Sequence, residues 1–455
     1  MADDVYLIPA GEVEIAVSPL RQASAAINAT GAAALREALL RGTPAPEPIG
    51  ELASILSEPC AEPAIPTGAA RPPFLGLIPT RDCNMGCRYC DFDAGRNGRD
   101  MDVELVCAAL GGYARHVSAI GGESLSLHFF GGEPFVRFDL VELAVHRLRY
   151  LGQKHGLPTH VETTTNGMFG GATLAFVEDF FDTVVLSLDG QAQDHDPHRP
   201  LRGGAGSFDR VWTTAQALAR SPVGLCVRCC VSAANVGRMP QIAEWLCCGL
   251  HPESVAFEAM KPSPQSVAAG LLPPDPLLFA RGFLAARRIA RDAGVECVYG
   301  ALTPPDGRPR HTFCPAGRDT FIVAPDWSVR SCYLRKDDWT AAGLDMRVGR
   351  VEEGGDLRID PEAVRRLREA VADRARCRRC FCRWSCTGGC VVTETPPGHG
   401  AHYTDYCRQT RLIQVCALLE DMGMDGHADA LLQDGHAVAR LWEHADDRLA
   451  AERLE

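Results

Sequence analysis

Between Phe74 and Ala259 the chain repeats one pattern, a short apolar run followed by an amphipathic stretch. Six runs read as strands: FLGLI at 74–78, LSLHFF at 125–130, THVETT at 159–164, TVVLSL at 183–188, VGLCVRCCV at 223–231 and SVAFEA at 254–259. Helical periodicity separates them, for instance from Leu140 to Lys154 and from Phe208 to Ala219. Strands alternating with helices predict an α/β unit on a parallel sheet, over residues 73–300. Four of the runs end in a polar motif: the first leads to CNMGCRYC, the second to GGEP, the third to TTNG, and the fourth closes as SLDG. Parallel sheets carry their chemistry at the carboxyl ends of the strands, so the four motifs are expected to share one site.

The flanks follow other rules. Val13, Ile15 and Val17 alternate with polar neighbours as a half-buried strand does, Thr30 is placed to cap a helix through Leu39 and Leu40 that stops at Gly42, and a second short helix fits Ile49 to Leu56. Pro-, Ala- and Gly-rich sequence from Glu58 to Pro73 reads as a linker, which sets residues 1–72 apart as a small α+β module. Beyond residue 300 the periodicity gives way to Pro, Gly and Cys, so residues 301–410 are expected to be held by metal rather than by a large core. A helical tail is expected over 411–455.

Composition narrows the function. The 455 residues are 46% hydrophobic and 23% charged, as in folded globular proteins. A net charge of -12, from 46 Lys and Arg against 58 Asp and Glu, with no long basic run, argues against nucleic acid as a partner. The chain has no window of about 18 uninterrupted apolar residues to span a membrane and no secretory-type start, so a cytoplasmic location is expected. In such a chain the 20 cysteines point to metal or to chemistry rather than to disulfides. The neighbours Cys229 and Cys230, and Cys247 and Cys248, lie in apolar sequence and read as buried free thiols.

Cys83, Cys87 and Cys90 are spaced CxxxCxxC, three thiolates on one short loop. An electron-transfer cluster of four irons normally takes four thiolates, so three leave one iron open to a substrate. The other reading is zinc, which wants a fourth ligand at similar spacing, and the nearest candidate, His116, lies far along a helical segment. With its companions, the loop resembles the radical S-adenosylmethionine (SAM) superfamily. That resemblance implies a partial (β/α)6 TIM-type barrel, a catalytic [4Fe-4S] cluster chelating SAM, and release of a 5'-deoxyadenosyl radical on reduction. Gly131, Gly132 and Glu133 match the motif that receives the SAM ammonium. Ser187 and Asp189 match strand-end positions that contact its carboxylate and ribose, and Asn166 lies by the same pocket. Arg199 matches an arginine of peptide-modifying members, its other reading being a solvated loop residue, and Tyr89 takes the aromatic place near adenine.

Farther on, Cys377, Cys380, Cys386 and Cys390 are preceded by Cys314 and Cys332 and followed by Cys407. Seven cysteines in this order resemble the iron-sulfur SPASM extension of radical SAM enzymes. By position, one auxiliary [4Fe-4S] cluster would use Cys377, Cys380, Cys386 and Cys407, and another Cys314, Cys332 and Cys390, with Cys382 as a spare donor. Two departures stand out: Trp327 replaces the usual glycine five residues before the second cysteine, so that turn is expected to be built differently, and no cysteine follows soon after Cys314. The N-terminal module loosely resembles PqqD-like modules that bind leader peptides by strand addition, a plain cap being the alternative. Together these imply a maturase that abstracts hydrogen from a residue of a ribosomally made precursor peptide and installs a cross-link or related modification, fed electrons by a flavodoxin- or ferredoxin-type reductant. A radical SAM dehydrogenase acting on a small molecule or folded protein, and a non-enzymatic iron-sulfur scaffold or electron carrier, are the alternatives.

Overall fold

The computed structural model describes residues 4–90, 92, 100–302, 307–316, 318–372, 375–394 and 404–444. Three N-terminal strands, β1 (Tyr6–Ala10), β2 (Val13–Ser18) and β3 (Ala23–Ile27), form an antiparallel sheet. Then come β4 (Leu75–Leu77), β5 (Leu125–Phe129), β6 (Thr159–Thr165), β7 (Thr183–Ser187), β8 (Gly224–Val231), β9 (Ser254–Ala259) and β10 (Glu296–Val298), each parallel to its neighbour. All six apolar runs are strands, and between them lie the expected helices, such as Phe138–His155 and Phe208–Leu218. This is the parallel sheet of a partial barrel, as expected, with the carboxyl ends of β4 to β7 at one rim.

The C-terminal region departs from the expectation of few elements. The strands β11 (Phe321–Val323), β12 (Ser328–Arg330), β13 (Arg347–Val351) and β14 (Leu357–Ile359) continue the same sheet past β4, giving eleven strands in all. β11 lies parallel to β4 and the other three run antiparallel. Strands this short carry too little alternation to show as a period in the sequence. Gly76 of β4 allows the join, because a Cβ there would sit 2.4 Å from the Tyr333 hydroxyl. The tail helix begins at Asp405, not after Arg411, with Thr404 Oγ1 accepting from Cys407 N at 3.3 Å.

In the N-terminal module three strands stand where one was expected, and the helix Ala29–Arg41 is capped by Asn28, whose Oδ1 accepts from Gly31 N at 2.8 Å, rather than by Thr30. The stop at Gly42 is present, with left-handed φ of 70°. Both faces of the sheet are buried. Leu7 and Ala16 pack with Leu35, Leu39, Ala53 and Leu56 in a small core, whereas Tyr6, Ile8, Ile15 and Val17 join the main core. There Tyr6 meets Phe381 edge-on at 6.4 Å, and Trp384 Nε1 donates to Asp4 at 3.1 Å. The linker is tied down as well, Arg71 N donating to Asp319 at 2.9 Å and Arg368 spanning Asp319 and the Gly68 carbonyl. Among the described residues no helix is long and apolar enough to cross a membrane.

Candidate functional site

The chain leaving β4 forms a loop that carries Cys83, Cys87 and Cys90, and two neighbouring segments hold its backbone. Gly86 N donates to Pro200 O at 2.8 Å and Arg88 N to His198 O at 2.9 Å, while Gly132 N and Glu133 N donate to Thr80 O and Asp82 O. The approach is so close that a Cβ on Gly132 would sit 2.0 Å from the Asp82 carbonyl oxygen. The glycines after β5 thus let one backbone lie against the cysteine loop. Arg202 pairs with Asp82 on the outside.

Glu133 is buried behind the loop. Its carboxylate accepts from Thr165 Oγ1 and Asn166 N, both at 2.8 Å, and from Phe135 N at 3.2 Å. Burial pushes its pKa up to about 7 against these bonds. The Asn166 amide reaches Asn84 Oδ1 at 2.8 Å and Cys83 Sγ at 3.5 Å, so the end of β6 touches the loop directly.

Ser187 is buried at the end of β7, and two residues on Asp189 is fully enclosed. The Tyr89 hydroxyl donates to Asp189 at 2.7 Å, Cys230 N donates to it at 3.0 Å, and Arg199 pairs with it at 3.0 Å. Burial works to raise the Asp189 pKa, but Arg199 and its hydrogen-bonded neighbours hold it well below the carboxylate range. Arg199 also lies over the Tyr89 ring at 5.2 Å. It is buried, not a solvated loop residue. His198 stands 3.5 Å from Asp189 and was signalled only by its place beside Arg199 in DPHRP, whereas Thr165 and Asn84, which bond Glu133 and Asn166, lie within the TTNG and CNMGCRYC motifs without being named there as site residues.

The thiols fall into three facing groups. Burial pushes the Cys83 thiol up to about 12, with Glu133 and then Cys87 and Cys90 adding to the shift, and the Cys87 thiol up to about 11. Cys332 is pushed up to about 12 by burial, with Cys390 and Cys314 facing it. Cys386 is raised by burial and by Cys377, Cys407 and Cys380. Buried thiols raised in this way are poor nucleophiles, but metal coordination deprotonates a thiol outright, so the chemistry of these sets fits ligation. Among the described residues no three Cys, His, Asp or Glu groups close on a single-ion point. Cys382 is buried next to Cys380, and Cys248 is exposed although its neighbour Cys247 is buried, against the expectation for that pair. His116 serves the linker, bonding the Ala70 carbonyl at 2.8 Å.

Trp327 keeps the glycine geometry despite its side chain. Its φ is 67°, its N–H donates to Ala324 O at 3.0 Å and its carbonyl accepts from Val351 N at 2.9 Å. The turn before Cys332 thus takes a left-handed residue without a glycine, and the hydrogen bond from Val351 helps hold the tryptophan there.

Residues 77–231 match the sequence model of the Radical SAM superfamily. The superfamily implies SAM and a [4Fe-4S] cluster. Among known proteins, a PqqA peptide cyclase of Methylocella silvestris is 28% identical over 176 residues, 37% of this chain and 43% of that protein. The chain thus spans less than half the length of this curated relative. Among solved structures, anSMEcpe with bound AdoMet superposes with a TM-score of 0.61 at 17% identity, covering 78% of this chain and 99% of that one. SuiB of Streptococcus suis bound to S-adenosylmethionine gives 0.48 at 14% identity, with 86% and 95% covered.

Proposed function

We propose that the chain is a radical SAM maturase of a ribosomally made peptide, which abstracts hydrogen from a residue of a bound precursor and installs a cross-link or related modification. The observation that carries this is the three-thiol loop after β4, held by the ends of β5, β6 and β7 inside a Radical SAM domain. Cys83, Cys87 and Cys90 would hold the catalytic cluster, and with it bound SAM supplies a 5'-deoxyadenosyl radical. Glu133 and the backbone of Gly131 and Gly132 would receive the SAM ammonium, with Asn166 and Ser187 beside them. Asp189 is already saturated by protein partners, so its part is to fix Arg199 and Tyr89 against the ligand. Two auxiliary clusters would take Cys377, Cys380, Cys386 and Cys407, and Cys314, Cys332 and Cys390, with residues 301–410 as their domain.

Likeness to a peptide cyclase supports a peptide substrate. So does β3, an edge strand of the N-terminal sheet that can accept one more strand, the mode in which residues 1–72 would hold a leader peptide. A flavodoxin- or ferredoxin-type protein is the reductant this chemistry calls for. Anaerobically reconstituted protein with a precursor encoded beside its gene tests the reading: the peptide should change mass in step with 5'-deoxyadenosine formation. Rapid 5'-deoxyadenosine formation with an unmodified peptide and an oxidised small molecule would favour the dehydrogenase instead.

A further inference from the structure

The helix Asp405–Asp421 brings a second group to the place where Cys407 points. Arg411 lies four residues on, hence on the same helix face. It is 1% exposed, among the largest side chains fully enclosed in the protein. Together with Cys407 it lines a small cavity whose other walls include Cys377, Cys380, Cys382 and Cys386. Its guanidinium carbon stands 5.7 Å from the Phe381 ring, in the strand of sequence between Cys380 and Cys386.

A guanidinium is always charged and is costly to enclose unless negative charge is enclosed with it. A four-iron cluster carrying four thiolates is net negative and becomes more so on reduction. We infer that Arg411 is the counter-charge of the cluster site formed by Cys377, Cys380, Cys386 and Cys407, and that it raises the reduction potential of that site. The inference rests on the ligand set proposed above. A positive charge within several Å, at an effective dielectric of about 20, favours the reduced state by at least about tenfold. For one electron that is a shift of about 59 mV.

The test is an EPR-monitored redox titration of the full-length, anaerobically reconstituted protein, following the signal that Cys386→Ala abolishes. Arg411→Met should move that signal to a more negative potential by at least about 59 mV, leave the other cluster signals in place, and be rescued by Arg411→Lys. An unmoved potential in Arg411→Met with full iron content overturns the inference. Where Arg411→Met loses iron, retention by Arg411→Lys supports a requirement for charge, and loss in both variants overturns it in favour of packing. If Cys386→Ala removes no signal and no iron, the ligand set itself is wrong and the inference falls with it.

Discussion

The thiol loop after β4 and the thiol sets of the C-terminal region solve one problem in opposite ways. Cys83, Cys87 and Cys90 lie within eight consecutive residues, and their backbone is sewn to the segments at 131–133 and 198–200 by hydrogen bonds. The C-terminal thiols come from four places: the segment at Cys314, the end of β12 at Cys332, the stretch Cys377–Cys390 and the first turn of the helix at Cys407. The first geometry exists because the polypeptide makes it. The second depends on sheet, helix and N-terminal module being docked first, with Trp384 and Phe381 touching Asp4 and Tyr6. A local motif can be pre-organised by a few backbone contacts, whereas a dispersed one inherits its precision from the whole fold.

The sharpest break between the two regions is chemical. Replacing Cys83, Cys87 and Cys90 together by Ala should abolish 5'-deoxyadenosine formation and remove roughly four irons per chain, the content of one cluster. The C-terminal iron should remain. Iron analysis beside product quantification checks both halves, and loss of all iron would mean that the regions do not load independently.

Next in size is the buried pair behind the loop. Arg199→Met leaves Asp189 enclosed without its main counter-charge, and breaking such a pair costs about 3–5 kcal/mol. Denaturant midpoints should fall accordingly and SAM affinity should fall with them, since Tyr89 loses the group beneath its ring. Unchanged SAM affinity in a folded variant would make Arg199 structural only. Gly132→Ala acts on the same side by steric means. Its Cβ would meet the Asp82 carbonyl oxygen at 2.0 Å, so the two backbones must part, at about 1–3 kcal/mol. Loop distortion predicts weaker cluster retention, read as faster iron loss to a chelator, with the C-terminal clusters unaffected.

How much of this was legible in the sequence follows the same division. The six barrel strands and the loop motifs could be read because apolar runs and spaced cysteines are local signals. Arg199 could be named but not placed, because its burial depends on Asp189 and Tyr89 arriving from other segments. His198 carried no pattern of its own, and Thr165 and Asn84 lay inside the TTNG and CNMGCRYC motifs with nothing to mark them out from their neighbours. The strands β11, β12 and β14 were missed because three residues cannot display a period, and β13 because RVGRV has only two apolar positions, and the N-terminal sheet was read as one strand of a separable unit because nothing local reveals that Tyr6, Ile8, Ile15 and Val17 pack onto distant sequence. Asn28 displaced Thr30 as the cap because the helix begins two residues earlier than the threonine suggested.

The smallest effect probes the dispersed side, at the turn that delivers Cys332. Trp327 holds φ at 67°, a region that costs a residue with a Cβ about 1–2 kcal/mol relative to glycine. Its ring is half-buried against the core, so direct replacement mixes relief of strain with loss of packing. Comparing two variants separates them: Trp327→Ala and Trp327→Gly lose the same ring, but only the alanine keeps the strained Cβ. The greater freedom of glycine in the unfolded chain returns part of the difference, so Trp327→Gly should be the more stable of the two by about 1 kcal/mol. Denaturant unfolding of the pair, with iron content matched, measures it. Equal stability would mean that the turn relaxes out of the left-handed region once the tryptophan is gone, and that the ring itself, packed on the core, forces the backbone conformation on which the position of Cys332 depends.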